Sequence, residues 1–229
     1  MRNMATRDGQ AAIRAIRVVQ WASGTVGKAA MRAVLDHPRL DLVGVKIYAA
    51  EKEGRDAGAL CGRPETGVRA TSDLSAILAL KPDCVLYMPE STDWDDVCTL
   101  LENGVNISST RAEFFNPDTI PARLRQRLEA ACARGNSSIH SSGSSPGFIT
   151  EALPLVLLSL SRRLDLLMIE EFANCIDGCS EEMLVDIMGF GAAPQDFQAR
   201  TFPERDQVFA HSLAALGQGL GIAIDHFET

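Results

Sequence analysis

The sequence predicts a doubly wound α/β fold, a parallel sheet covered by helices on both faces. Three observations lead there. Short, nearly continuous apolar runs alternate with stretches of helical periodicity, the pattern of strands buried on both sides. The first run feeds into a glycine-bearing turn, Trp21-Ala22-Ser23-Gly24-Thr25-Val26-Gly27, and then into a helix. The alternation continues through six strand-like runs, which suffice for a complete doubly wound domain.

Each element has its own local reason. Ile16 to Gln20 is the first strand, and Thr25 to Asp36 places Val26, Ala29, Ala30, Ala33 and Val34 on one helical face until Pro38 stops it. Leu42 to Tyr48 reads as the second strand and Gly67 to Ala70 as a short third. Thr71, Ser72 and Asp73 supply N-caps for a helix that buries Leu74, Ile77 and Leu78. Cys84 to Met88 is the fourth strand. Trp94 to Glu102 is a helix ended by Asn103-Gly104, a left-handed stop. Val105 to Ser109 forms the fifth strand. A helix from Thr119 to Arg134 turns Leu124, Leu128, Ala131 and Cys132 inward and closes at Gly135, and Ser137 to His140 is the sixth strand.

After His140 the rhythm changes. Ser141 to Gly147 has the composition of a domain crossover, followed by a helix from Phe148 to about Leu160 and a strand from Leu164 to Phe172. Residues 170–186 carry Glu170, Glu171, Asp177, Glu181, Glu182 and Asp186 without a base, which reads as a solvated acidic face. The division that results is a flexible arm over 1–14, a dinucleotide-binding domain over 15–140, and a smaller, incomplete α+β substrate and dimerisation domain over 141–229.

Composition narrows the function classes. The chain of 229 residues is 46% hydrophobic and 23% charged, which excludes a disordered chain. Its longest apolar run, Ala152 to Leu160, falls well short of a membrane span. A net charge of −8 disfavours a nucleic-acid partner, because neutralising phosphates requires a basic face. Six cysteines without framework spacing point to reduced thiols in the cytoplasm. Cys175 and Cys179 lack a second ligand pair, so no metal is expected.

The chemistry starts at the glycine turn. It is the dinucleotide pattern G-x-G-x-x-G with Ala22 in the first position. Gly24 lets the backbone approach a pyrophosphate and Gly27 lets helix and strand pack closely, while the helix N-terminus favours the negative charge. Ala22, Ser23, Gly24, Thr25, Val26 and Gly27 are therefore the expected cofactor cradle. A nicotinamide site specific for NAD places an acid at the end of the second strand to hold the ribose hydroxyls. This chain has Tyr48-Ala49-Ala50, with Lys52 and Arg55 beyond, which suits the 2′-phosphate of NADP; Glu51 keeps NAD as the alternative. A methyltransferase would also need that acid and is disfavoured. The nicotinamide end is expected where strands four and five emerge, at Met88, Pro89 and Thr110. Glu90 and Glu113 lie there, and His140 ends strand six. Glu113, ahead of Phe114-Phe115, is either a partly desolvated proton-transfer carboxylate or a loop glutamate in water.

These residues carry a resemblance. Val18 to Gly27, Gly54-Arg55-Asp56-Ala57-Gly58, Cys84 to Pro89, Pro146-Gly147-Phe148 and Glu182 to Gly191 together resemble the dihydrodipicolinate-reductase-like dehydrogenases. The likeness is to the branch holding 2,4-diaminopentanoate dehydrogenase and the native amine dehydrogenases, particularly its actinobacterial members. The resemblance implies a Rossmann fold, NAD(P), hydride transfer at an amine or imine carbon of a small molecule, and Glu113 as the catalytic carboxylate beside the iminium. Reduction of dihydrodipicolinate itself is not expected. The histidine- and lysine-rich substrate motif is missing, and the four lysines (Lys28, Lys46, Lys52, Lys81) all precede residue 82. Members of the family extend beyond the point matching Thr229, which leaves a catalytically inactive or truncated nucleotide-binding homologue as the alternative. An alcohol or aldehyde dehydrogenase is a third reading. A sheet edge left open in the second domain predicts a homodimer through residues after about 141.

Overall fold

A computed structural model describes residues 14–172, 174–175, 179, 181, 183–194 and 203–226. Residues 1–13 of the expected arm, and Asp177 and Glu182 of the acidic stretch, lie outside the described residues.

Six parallel strands form one sheet: β1 (Ile16–Trp21), β2 (Leu40–Lys46), β3 (Ala70–Thr71), β4 (Cys84–Tyr87), β5 (Asn106–Ser109) and β6 (Ile139–Ser141). Their spatial order is β3-β2-β1-β4-β5-β6, the doubly wound Rossmann order. The order reverses between β1 and β4, so the crevice opens there, one strand earlier than the β4/β5 position expected from the sequence.

The helices between strands are α1 (Thr25–Asp36), α2 (Ala57–Cys61), α3 (Leu74–Ala79), α4 (Trp94–Glu102) and α5 (Ala122–Gly135). Two cores flank the sheet because alternate strand residues point to opposite faces. On one face Val18, Val45 and Ile47 pack with Met31 and Val34 of α1 and with Ala57, Leu60 and Cys61 of α2. On the other, Val19, Trp21, Val85 and Tyr87 pack with Ile77, Val97, Leu100, Leu101, Leu128 and Ala131.

Strand and helix ends match the sequence reading to within a few residues, with three differences. The short helix α2 was not anticipated. It is created by Asp56, whose carboxylate accepts from the Gly58 N–H at 2.8 Å. Gly135 does not close α5 but remains inside it, with Asn136 taking the left-handed conformation at φ 50°. A Cβ on Gly135 would lie 1.8 Å from the Leu101 carbonyl oxygen, so the glycine serves the close approach of α4 and α5. The helix expected from Thr119 accordingly starts three residues later, after a turn at Pro117–Thr119.

Beyond β6 the described residues contain no strand. The strand expected from Leu164 to Phe172 is absent. Its side chains stand in solvent, Leu166 79% and Phe172 92% exposed, because no neighbouring strand lies beside it among the described residues. Helical structure begins as expected near Phe148, in a wide turn (Ser144–Ala152) that runs into α6 (Leu153–Leu158). A long helix that the sequence reading missed, α7 (Pro203–Leu220), packs back on that turn. Buried Glu151 joins them: it accepts from the Gly147 N–H at 2.5 Å, the Thr150 hydroxyl and the Ser212 hydroxyl of α7. Glu170, Glu171, Glu181 and Asp186 are exposed, as a solvated acidic face requires.

Candidate active site

The glycine turn owes its shape to a residue that is not glycine. Ala22 adopts φ 74°, in the left-handed region that costs an L-residue about 1–2 kcal/mol. Three contacts hold it there. The Ala22 N–H donates to the Lys46 carbonyl at 2.9 Å, and the buried Gln20 amide donates to the carbonyls of Trp21 at 3.1 Å and Ala22 at 3.0 Å. The Ala22 carbonyl is thereby aimed at α1. A Cβ on Gly27 would fall 2.2 Å from that oxygen, so only glycine fits.

Gly24 differs. A Cβ there would meet no atom within 4 Å, so the space before it is open rather than filled by protein. Helix α1 starts at this point with no side-chain cap and no acid in its first turn. By contrast α2, α3 and α4 are capped by Asp56, Asp73 and Asp93. An uncapped N-terminus next to open space is the environment an anion completes, because the first amides of a helix lack intrahelical acceptors. The turn therefore fits a dinucleotide diphosphate. Ser23 is buried, whereas Gly24, Thr25 and Val26 are exposed along the same edge.

Across the reversal in strand order, the Met88 N–H donates to the Trp21 carbonyl at 3.1 Å, and Pro89 is buried beside it. Lys52 and Arg55 follow β2 through the turn Ala50–Lys52. Arg55 is exposed and Lys52 half-buried, and neither forms an ion pair among the described residues. Thr110 is exposed just past β5.

Glu113 sits in a single turn, Ala112–Phe114, directly after β5. It is neither a glutamate in open water nor an isolated buried acid. Its Oε1 receives the Arg111 Nε–H at 3.0 Å and the Thr92 hydroxyl, while Oε2 accepts from no group among the described residues. Arg111 in turn donates to the Glu90 carbonyl and is fixed from the β4 side. The carboxylate is thus anchored through one oxygen and presents the other. An aromatic wall connects this region to the glycine turn: Trp21 and Tyr87 centroids are 5.7 Å apart, Tyr87 and Phe114 6.4 Å, and Phe114 and Trp94 5.4 Å. Glu90 is exposed, and His140 is exposed on the last strand without a hydrogen bond to the crevice among the described residues.

Sequence reasoning missed Thr92 and Arg111, whose importance comes from a loop-to-loop contact 21 residues apart in the case of Thr92. It also missed Lys46. This residue ends β2, is 6% exposed, and places its ammonium 5.3 Å from the Trp21 ring centroid and 4.7 Å from that of Tyr48.

No protein-family model matches the chain. It is 28% identical to an amine dehydrogenase of Streptomyces virginiae, in an alignment covering 93% of this chain and 61% of that protein. Its fold is that of the amine dehydrogenase from Mycobacterium smegmatis, with a TM-score of 0.74 at 19% identity over 92% of this chain and 63% of that one. The chain therefore spans about three fifths of the length of the relatives it matches. Over nearly its whole length the chain is similar in sequence to the first of these amine dehydrogenases and in fold to the second.

Proposed function

We propose that this chain carries the nucleotide-binding and hydride-transfer part of an NAD(P)-dependent amine dehydrogenase, an oxidoreductase acting on a small amine or, in reverse, on a carbonyl compound and ammonia. The observation that carries the proposal is the uncapped N-terminus of α1 behind Gly24, on the same sheet edge as a carboxylate anchored through one oxygen. A bound nicotinamide would supply the hydride acceptor or donor. Ser23 to Gly27 would hold its diphosphate, Met88, Pro89 and Thr110 would line its path across the edge, and Lys52 with Arg55 would take a 2′-phosphate, which favours NADP over NAD.

Glu113 supplies the amine chemistry. In the oxidative direction the substrate carbon loses a hydride and its C–N bond becomes an iminium; water then adds at carbon and ammonia leaves. A fixed carboxylate oxygen favours the cation that forms at carbon and nitrogen, and Arg111 and Thr92 keep it in place without reorganisation. The wall of Trp21, Tyr87, Phe114 and Trp94 beneath the edge lowers the local polarity and strengthens that attraction.

Two further parts of the reading are proposed with it. Leu160, Leu166, Met168 and Phe172 form an exposed apolar stretch that suits burial against a second copy, which supports a substrate and dimerisation region after about residue 141. Six cysteines without disulfides suit a cytoplasmic setting, and no helix among the described residues is long and apolar enough to cross a membrane.

The test is a coupled assay. Purified chain is supplied with NADPH and a panel of ketones, with and without ammonium. Ammonium-dependent oxidation of NADPH supports the amine reading. Oxidation that proceeds equally well without ammonium identifies an alcohol or aldehyde enzyme instead, and tight binding without turnover identifies a nucleotide-binding homologue.

A further inference from the structure

Tyr48 has an exposed ring that is nevertheless contacted from behind by Trp21 and Lys46. It follows β2 by two residues and leaves 56% of its surface in solvent. Its hydroxyl accepts the Trp21 indole N–H at 2.8 Å. The Lys46 ammonium lies over the ring, 4.7 Å from its centroid, and over the Trp21 ring as well. Lys46 is buried, makes no ion pair among the described residues, and donates only to the Ile47 carbonyl, at 3.4 Å. The two aromatic faces compensate part of its desolvation, together with attraction to the nearby carboxylates of Asp96 and Glu53. A cation kept under those terms fixes the rings around it. The backbone completes the connection, since the Lys46 carbonyl accepts the Ala22 N–H that starts the glycine turn.

In a doubly wound fold the end of the second strand faces the adenosine half of a dinucleotide. An aromatic ring offered there, supported from behind and open in front, matches what a purine needs for stacking. We propose that Tyr48 is the platform on which the adenine base stacks, and that Lys46 and Trp21 are positioning residues that hold its ring. The inference rests on the dinucleotide reading above and adds a base-binding residue to it. It accounts for an aromatic residue at the position where an acid would otherwise hold the ribose. Burial raises the Tyr48 phenol above its ordinary range, more than the hydrogen bond from Trp21 lowers it, so the hydroxyl remains neutral and continues to accept from the indole.

The experiment measures NADPH binding to the full chain by cofactor fluorescence, with 2′,5′-ADP and reduced nicotinamide mononucleotide as competitors. Wild type is compared with Tyr48→Leu, Tyr48→Phe and Lys46→Met, each checked for native circular dichroism. Tyr48→Leu should weaken NADPH and 2′,5′-ADP about tenfold or more and leave the mononucleotide unchanged. Tyr48→Phe, which retains the ring, should stay within about threefold of wild type, and Lys46→Met should fall between the two. Equal binding by wild type and Tyr48→Leu overturns the platform while leaving the dinucleotide site standing. Equal loss of all three ligands in Tyr48→Leu also overturns it, since that is the result of a structural role. Failure of wild type to bind NADPH or NADH removes the site and the platform together.

Discussion

Arg111 Nε lies 3.0 Å from Glu113 Oε1, the oxygen that also receives the Thr92 hydroxyl, so Glu113 is tethered on one side and open on the other. An ion pair in this half-buried setting does little for stability by itself. It sets the direction of a negative charge.

Glu113→Gln keeps the shape and the hydrogen-bond acceptor but removes the charge. Turnover should fall about a hundredfold or more, with NADPH affinity within about twofold of wild type. Steady-state kinetics together with a fluorescence titration check both halves. Retained turnover would remove Glu113 from the mechanism.

The glycine turn makes two opposite predictions. Ala22→Gly relieves a left-handed alanine and should stabilise the fold by up to about 1 kcal/mol, read as a higher Tm with cofactor binding intact. Gly27→Ala drives a Cβ into the Ala22 carbonyl and should destabilise by about 1–3 kcal/mol or more, with cofactor binding lost even in protein that remains folded. A Gly27→Ala chain that binds NADPH like wild type would mean that the turn does not cradle the diphosphate.

Asp56 organises the segment that follows β2. Burial by itself would raise its carboxyl, but the N–H groups of Thr66, Gly58 and Gly67 and the Thr66 hydroxyl outweigh burial and hold it below the usual carboxylate range. A group depressed in the folded state contributes stability above its unfolded value, about pH 4, and loses that contribution as pH falls through the folded value. Asp56→Asn should therefore destabilise by about 1–3 kcal/mol at pH 7, with the gap to wild type narrowing below about pH 4. Urea melts at several pH values test the sign. A gap that widens in acid would contradict the assignment.

How much of this was legible depends on the range of the interaction. The path from β1 through Gly24 into α1 could be read because glycine placement and helical periodicity are local. Asp73 and Asp93 as caps were equally local, and only Asp73 was read as one. Lys46 was illegible for a physical reason. A lysine in a strand reads as a solvent-facing residue, and its burial depends on Trp21, 25 positions earlier in the chain, lying beside it through parallel pairing. The anchoring of Glu113 by Thr92 likewise exists only once β4 and β5 are adjacent. The strand expected from Leu164 to Phe172 fails for a non-local reason: a strand needs a partner to pair with, and none lies beside it among the described residues. Gly135 misled in the other direction: glycine at a helix end suggests a cap, whereas here it makes room for Leu101.

Lys52 and Arg55 are the residues that separate the two cofactors. Replacing both with alanine should weaken NADPH about tenfold or more and leave NADH nearly unchanged, because only the 2′-phosphate distinguishes the two ligands. Equal weakening of both would move phosphate recognition elsewhere along the edge.

The central claim is that the open, uncapped start of α1 holds a dinucleotide, and titration of the purified chain with NADPH and NADH tests it most directly. Cofactor fluorescence should rise to saturation with NADPH at micromolar concentration and require more NADH. A flat response to both cofactors would contradict the account at its base, since every catalytic role assigned to Glu113 depends on a nicotinamide held beside it.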